Sequence, residues 1–256
     1  MGAIVRSRAY LEQHRRTILG RSLAAALAGA VPIPLLDDWL VSSIRRSMIR
    51  RIADARGVDM DEDAIRAVAD GPEAPAKWSE LIGGGLAMRL LSRQWSKLVV
   101  AVLATRRAQA AARTFEIATL FDHYCARLHV GMGLTGTTGK EVRLRIDQAR
   151  RETEGGISRH LFRRGLLAAA KTSVRAPVDI ADVLTGGRIT KLLNGPDEIE
   201  ATMEVDEALE AQLKSEGSFL ARSAAAIELQ LAVDRNPYLD NLIDNFDLIY
   251  SGEDEE

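Results

Sequence analysis

Three side chains with chemical potential lie about one helical turn apart near the middle of the chain. Asp122, Cys125 and His129 follow an i, i+3, i+7 spacing inside a predicted helix over 98–129. A helix places residues at this spacing on one face. Carboxylate, thiol and imidazole groups on one face could bind zinc or activate the thiol as a nucleophile. Because no second Cys/His cluster would complete the ligand set, a small buried cysteine is the alternative interpretation.

The glycine-rich stretch 131–140 superficially resembles a phosphate-binding loop. That motif needs a glycine five residues before its Gly-Lys pair and a hydroxyl residue after it, so that backbone N–H groups and the hydroxyl meet phosphate and Mg²⁺. Leu134 occupies the position of the required glycine, and Glu141 replaces the hydroxyl. The segment is therefore predicted to be an interhelical loop.

The segment 59–70 resembles a calcium loop in the spacing of its first acidic residues. A calcium loop turns sharply at a glycine in its sixth position. Here Ala64 takes that position, and the apolar residues that follow continue a helical period. A short helix over 61–69 is predicted instead, with Asp59 and Glu62 as its capping box.

Four arginines cluster on the next candidate surface, the predicted helix over 39–56. Arg46 and Arg50 lie opposite the apolar face of this helix, and Arg45 and Arg51 lie at its boundary. Such a cluster could bind the phosphate groups of lipids or nucleic acids. No aromatic side chains alternate with these arginines to stack on bases. A solvated helix face is the alternative interpretation.

The elements that must position these residues are predicted to be helices. Ala, Leu and Arg dominate the chain, whereas clusters of Val, Thr and Tyr are scarce, which favours helix over strand. Prolines in the segment 31–34 end the first helix, Asp37 or Asp38 caps the second, and Gly57 ends it. The predicted helices span 11–30, 39–56, 61–69, 98–129, 141–153, 157–172, 197–214, 217–234 and 236–250, with a further helical region over 78–97. The fold class is therefore all-α, a multi-helix bundle.

A weak internal repeat suggests that part of this bundle is duplicated. The tetrapeptide LAAA occurs at 23–26 and again at 167–170, 144 residues later. At the same offset, an apolar residue, an aspartate and a leucine recur after a proline-containing turn. The pattern has two interpretations: a diverged duplication of a helix–Pro turn–helix unit, or a chance recurrence, since alanine-rich tetrapeptides recur easily.

Charge divides the chain into two regions. Residues 1–193 carry 31 lysines and arginines against 19 acidic residues, whereas residues 194–256 carry 3 against 17. We therefore expect a basic helical body over 1–193 and an acidic segment over 194–256. This segment comprises a helical hairpin, a C-terminal amphipathic helix and a disordered tip over 251–256. Such asymmetry indicates interaction partners but no particular chemistry.

The last predicted helix has the pattern of a docking element. Asp240, Asn241 and Asp244 form its polar face. An amphipathic helix of about 14 residues is marginal alone in water, so its apolar face needs a groove in its own chain or in another. The apolar face consists of Leu239, Leu242, Ile243, Phe246, Ile249 and Tyr250.

The segment VPIPLLDDWLVSSIRRSMIRRIADARGVD, followed by IGGGLAMRLLSRQWSKLV, carries a proline-containing turn, a basic amphipathic helix and a glycine-rich hydrophobic helix. In these features, residues 18–110 resemble the uncharacterised bacterial helical domain that accompanies Era-like and other membrane-linked GTPases. The resemblance implies a helical fold and a link to a GTPase system or a membrane. It implies no catalytic residues.

We therefore expect a non-enzymatic helical interaction or scaffold module without a cofactor or bound metal. A protein partner is expected first, an anionic membrane surface second, and a homo-oligomer stays open. The expected location is the cytoplasm or the periphery of the inner membrane, since the single cysteine fits a reducing compartment. Two alternatives remain: a nucleic-acid-binding protein with an acidic autoinhibitory tail, and a metal- or thiol-dependent enzyme using Asp122, Cys125 and His129.

Overall fold

The computed structural model describes residues 8–28, 36–71, 97–156, 162, 198–215, 218–233 and 237–252. Every regular element within these ranges is an α-helix, which confirms the all-α multi-helix fold. The helices are α1 (Ala9–Ala28), α2 (Leu36–Arg56), α3 (Glu62–Asp70), α4 (Lys97–Arg127), α5 (Gly136–Glu152), α6 (Glu198–Lys214), α7 (Phe219–Val233) and α8 (Tyr238–Ser251). An isolated bridge between Met60 and Leu134 joins two of the described loops.

Helix α1 lies at the centre of the bundle. It packs against α2, α4, α6 and α7, and every residue from Ile18 to Ala28 is buried. Its C-terminal half is rich in alanine, and such small side chains allow neighbouring helices to approach from several sides. At Gly20, an added Cβ would meet the side chain of Leu213 on α6. The basic body and the acidic segment therefore share one core.

Two helix starts differ from the sequence prediction. Helix α2 begins at Leu36, so Asp37 and Asp38 lie in its first turn rather than capping it. At α3 the N-cap is Asp61, whose carboxylate accepts a hydrogen bond of 2.6 Å from the backbone N–H of Ala64. The predicted capping role of Asp59 is therefore wrong. The predicted end of α2 is confirmed, since Gly57 follows it at a φ of +70°.

Only the first half of the glycine-rich stretch 131–140 is a loop, because α5 begins at Gly136. Thr135 and Thr138 form a reciprocal capping box that offsets the weak helix propensity of glycine. At Gly136 an added Cβ would lie 2.9 Å from Asp63 Cβ, and at Gly139 it would lie 2.9 Å from Ala64 Cα. These glycines allow α5 to pack closely on α3, which accounts for the pattern that resembled a phosphate loop.

Several predictions fall outside the described residues. They are the proline-containing turn over 31–34, the helical region over 78–97 apart from its last residue, nearly all of the helix over 157–172, the second half of the internal repeat and residues 253–256 of the tip. Duplication therefore stays a prediction. The predicted disorder is wrong for Ser251, which ends α8, and for Gly252, which is its C-cap. Phe162 is described; it is buried, and its ring centroid lies 5.9 Å from that of Phe115 on α4. None of the described helices combines the length and apolar character needed to cross a membrane.

Candidate functional site: the seats of the two acidic helices

The C-terminal helix α8 lies against α5 and α4 of its own chain. Leu242, Ile243 and Phe246 are buried at 0–1% exposure. Leu239, Ile249 and Tyr250 are partly buried and pack against the same core. The face that the sequence marked as apolar is therefore the face turned towards the body. We call this contact surface on α4 and α5 the α8 seat.

Aromatic rings fill one end of the α8 seat. The ring centroid of Tyr250 lies 5.2 Å from that of Phe246 and 5.4 Å from that of Tyr124 on α4. The guanidinium of Arg145 on α5 lies 4.2 Å from the Tyr250 centroid, a cation–π contact. Burial raises the pKa of Tyr250, although the adjacent Arg145 opposes the shift. The hydroxyl therefore stays protonated at neutral pH.

Polar contacts hold the edge of α8. Arg8, just before α1, donates to the carboxylates of Asp240 at 2.8 Å and Asp244 at 2.5 Å. These two carboxylates are 70% and 50% exposed. The Asn245 amide donates to the Thr153 hydroxyl at 2.9 Å. The exposed carboxylates of the rim thus meet a cation of the body, and the neighbouring Asn245 amide meets a hydroxyl.

A buried histidine links three helices at this edge. His123 on α4 contacts the Asp247 carboxylate through Nε2 at 2.6 Å and the Tyr10 hydroxyl through Nδ1 at 2.6 Å. Since a carboxylate accepts, Nε2 donates to Asp247, and in the neutral ring Nδ1 accepts from Tyr10. Sequence reasoning did not find this chain of contacts, because its members lie on α1, α4 and α8 and share no sequence spacing.

The acidic helix α6 is held by a different kind of contact. Arg21 on α1 is fully buried and donates to Asp206 at 2.6 Å, to Glu210 at 3.2 Å and to the Ser47 hydroxyl at 2.7 Å. Arg51 on α2 donates to the same Asp206 carboxylate at 2.6 and 2.9 Å. Burial alone would raise the pKa of Asp206, but the hydrogen bonds from Arg51 and Arg21 hold it below its ordinary value. We call this cluster the α6 seat.

The four arginines of the predicted phosphate-binding surface all have acceptors within the chain. Arg45 Nε donates to the Thr114 hydroxyl on α4 at 3.2 Å, and Arg46 Nε donates to the buried Asp70 on α3 at 2.8 Å. Arg50 pairs with Glu62, and Arg51 pairs with Asp206. The side chains of Arg50 and Arg51 stay 32% and 40% exposed, whereas Arg46 is 12% exposed, so the solvated-face interpretation does not hold for the whole cluster. These arginines connect α2 to three neighbouring helices.

Asp122 and His129 contact different side chains, and Cys125 is buried. Asp122 is fully buried and accepts from Arg56 at 2.7 Å, and its Oδ1 lies 2.9 Å from His14 Nδ1. Burial, followed by the charge of Asp122, raises the pKa of the Cys125 thiol, which is the opposite of what an activated thiolate needs. His129 Nδ1 lies 3.3 Å from the Tyr124 hydroxyl.

No metal-binding group replaces them within the described ranges. No three His, Cys, Asp or Glu side chains of that part of the chain converge in a way that could hold a metal ion. The calcium-like spacing at 59–70 is instead divided between a linker and a helix, since α3 begins at Glu62. Asp61 serves as its N-cap, so its carboxylate is committed to the backbone.

Comparisons of this chain with protein-family models, with curated proteins and with solved structures found no match. The functional argument therefore depends on the geometry of the two seats.

Proposed function

We propose that the protein is a non-enzymatic helical interaction module in which α8 is an exchangeable docking element. The observation that carries the proposal is the construction of the α8 seat. Its centre buries the apolar face of a single terminal helix, whereas Asp240 and Asp244 at its rim form exposed ion pairs. Such a helix can leave its seat without opening the core around α1.

The physical balance at this seat favours reversible docking. A helix of 14 residues has little stability of its own in water, so it is ordered mainly by the surface it covers. Fully burying a side chain such as Leu242 or Phe246 contributes about 1.5–3 kcal/mol. An exposed ion pair contributes about 1 kcal/mol or less, and orients the helix more than it holds it. The apolar groove therefore accepts another amphipathic helix when α8 leaves.

The proposed partner is a protein that presents an amphipathic helix with an acidic rim, including α8 of a second copy. The resemblance of residues 18–110 to the helical domain of membrane-linked GTPases adds a GTPase system as a candidate context. In that context the protein works in the cytoplasm or at the inner membrane surface. Flotation of the full chain with anionic liposomes at low salt tests the membrane location, and sedimentation without the vesicles rejects it.

A peptide exchange experiment tests the docking proposal. A fluorescein-labelled peptide with the sequence of residues 237–252 is titrated into the wild-type chain and into the L242D/F246D variant. The variant cannot fill its own seat, because two buried positions carry carboxylates. We expect the peptide to bind the variant at least tenfold more tightly than it binds the wild-type chain, since α8 competes for the seat there. Fluorescence anisotropy measures both affinities.

The matched control is the L248D variant, because Leu248 lies on the solvent side of α8 at 68% exposure. It should bind the peptide as weakly as the wild-type chain does. Equal peptide affinity for L242D/F246D and L248D rejects the proposal. A peptide that binds none of the three chains rejects it as well.

One observation favours a second function, nucleic-acid binding inhibited by the acidic tail. Asp206 of the acidic segment pairs with Arg51, one of the clustered arginines, and so neutralises it in the folded chain. In this function the D206N/E210Q variant binds duplex DNA more tightly than the wild-type chain does, with a steep dependence on salt. Equal binding by both chains in a filter assay at low salt rejects it.

A further inference from the structure

The loop between α4 and α5 exposes two apolar side chains on a fixed backbone. Val130 and Met132 are 91% and 90% exposed. The loop is held in place, because the Leu134 N–H donates to the Asp59 carbonyl at 2.8 Å and the Asp61 N–H donates to the Leu134 carbonyl at 3.1 Å. Exposed apolar groups on an ordered loop gain free energy when a partner removes them from water.

The same loop forms one wall of a cleft of about 480 Å³. The opposite wall comes from the end of α2 and the start of α3, and Leu134, Ala53 and Ile65 contribute buried apolar surface to the lining. At Gly133 an added Cβ would lie 2.9 Å from the Asp59 carbonyl oxygen, so the two walls meet in close contact. The cleft is therefore a fixed groove, and the exposed Met132 directly precedes Gly133 of its lining in the chain.

The charge of this cleft is strongly one-sided. Four carboxylates and one guanidinium line it, those of Asp54, Asp59, Asp61, Glu62 and Arg50. Asp61 caps α3, and Glu62 pairs with Arg50. The carboxylates of Asp54 and Asp59 are exposed and form no hydrogen bond or ion pair with another described residue. Two negative charges are therefore available to a ligand, beside an apolar loop tip.

We propose that this cleft binds a basic amphipathic segment of a partner protein. Lysine or arginine side chains of that segment pair with Asp54 and Asp59, and one of its large apolar side chains packs on Val130 and Met132. Phosphate-bearing ligands are repelled by the same carboxylates. A bare metal ion finds no three ligating side chains converging in the described residues. The inference builds on the proposed interaction function, but none of these cleft residues belongs to the α8 seat.

The test uses the full chain and a designed helical peptide of leucine and lysine, with a leucine–glutamate peptide of the same apolar pattern as comparison. Fluorescence anisotropy gives the affinities, and amide chemical shifts locate the bound peptide. We expect the Leu/Lys peptide to shift the amides of 130–135. We further expect D54N/D59N and V130S/M132S each to weaken its binding by about tenfold, which corresponds to about 1.4 kcal/mol. The charge-matched control E12Q/E207Q, which alters two exposed carboxylates elsewhere, should bind as the wild-type chain does.

Three outcomes overturn the proposal. In the first, the Leu/Lys peptide shifts only amides outside 130–135. In the second, E12Q/E207Q binds this peptide as weakly as D54N/D59N and V130S/M132S do. In the third, the wild-type chain binds the Leu/Glu peptide or anionic vesicles as tightly as it binds the Leu/Lys peptide. None of them bears on the exchange of the peptide over 237–252, so the two proposals fail separately.

Discussion

The two acidic helices that contact the basic body are held by opposite arrangements of charge. At the α6 seat the ions lie inside, where Arg21 is fully buried and shares Asp206 with Arg51. At the α8 seat the carboxylates that pair with Arg8 are 50% and 70% exposed, although Arg8 itself is 11% exposed and Asp247 contacts the buried His123. The same overall attraction between an acidic segment and a basic body is therefore built in two ways.

This difference separates permanent attachment from reversible attachment. Removing one partner of a buried ion pair leaves an uncompensated charge and costs about 3–5 kcal/mol, whereas an exposed pair contributes about 0–1 kcal/mol. The α6 helix is therefore part of the core, and its departure would strand Arg21. The α8 helix depends on its apolar face and on the contact of Asp247 with His123, and another amphipathic helix with an acidic rim can replace both.

The largest expected effect comes from breaking the α6 seat. The D206N variant leaves Arg21 without its shortest carboxylate contact, and we expect a loss of about 3 kcal/mol in the free energy of unfolding. Urea denaturation measures it. The control is E207Q on the exposed side of the same helix, which should change stability by less than about 0.5 kcal/mol. Equal stability of the two variants contradicts the assignment of Asp206.

A smaller global effect is expected from the α8 seat. Phe246→Ala removes a fully buried ring, a change that costs about 3 kcal/mol in a closed core. Here the loss is limited to the free energy of docking α8, because the rest of the body stays folded when α8 leaves. We expect proteolysis within 237–252 to accelerate while the thermal midpoint changes little. Leu248→Ala on the solvent side should leave both unchanged.

The pH dependence sharpens the comparison. The pKa of Asp206 is lowered in the folded chain, so its stabilising contribution is fully present above its unfolded pKa of about 3.9. That contribution is lost as the pH falls through the lower folded value. The difference in unfolding free energy between wild type and D206N should therefore be constant from pH 7 to about 5 and shrink towards pH 3. A difference that grows on acidification contradicts this account.

The smallest effect is expected at the exposed rim. D240N/D244N removes both carboxylates that face Arg8 while keeping the shape of the side chains. We expect the free energy of docking α8 to weaken by about 1 kcal/mol or less. This effect should disappear in 1 M salt, because salt screens exposed charges. Hydrogen exchange of α8 at low and high salt checks it.

Local signals predicted much of this fold. The apolar period marked α8 and the face that it buries, and Gly57 marked the end of α2. The sequence signals gave wrong predictions where contacts between distant segments determine which partner a side chain has. Asp122, Cys125 and His129 share a helix face, yet Arg56 and His14 from other helices engage Asp122. Likewise, Gly136 and Gly139 were interpreted as loop glycines, because the close approach of α3 that requires them is not visible in one segment.

The α6 seat was missed for the same reason. Asp206 lies 185 residues from Arg21 and 155 from Arg51, and no periodicity connects them. The division of charge between residues 1–193 and 194–256 indicated interaction partners. It could not tell which carboxylate is buried, because burial depends on how α1, α2 and α6 pack together.

Native-state hydrogen exchange across increasing urea tests the central claim most directly, namely that α6 is part of the core and α8 docks reversibly. The amides of α6 should exchange only through global unfolding, with an opening free energy that falls steeply with urea. Those of α8 should exchange through a local opening of lower free energy that depends little on urea. If α6 and α8 instead follow one common global isotherm, or if α8 exchanges at the rate of an unfolded chain, the account is contradicted.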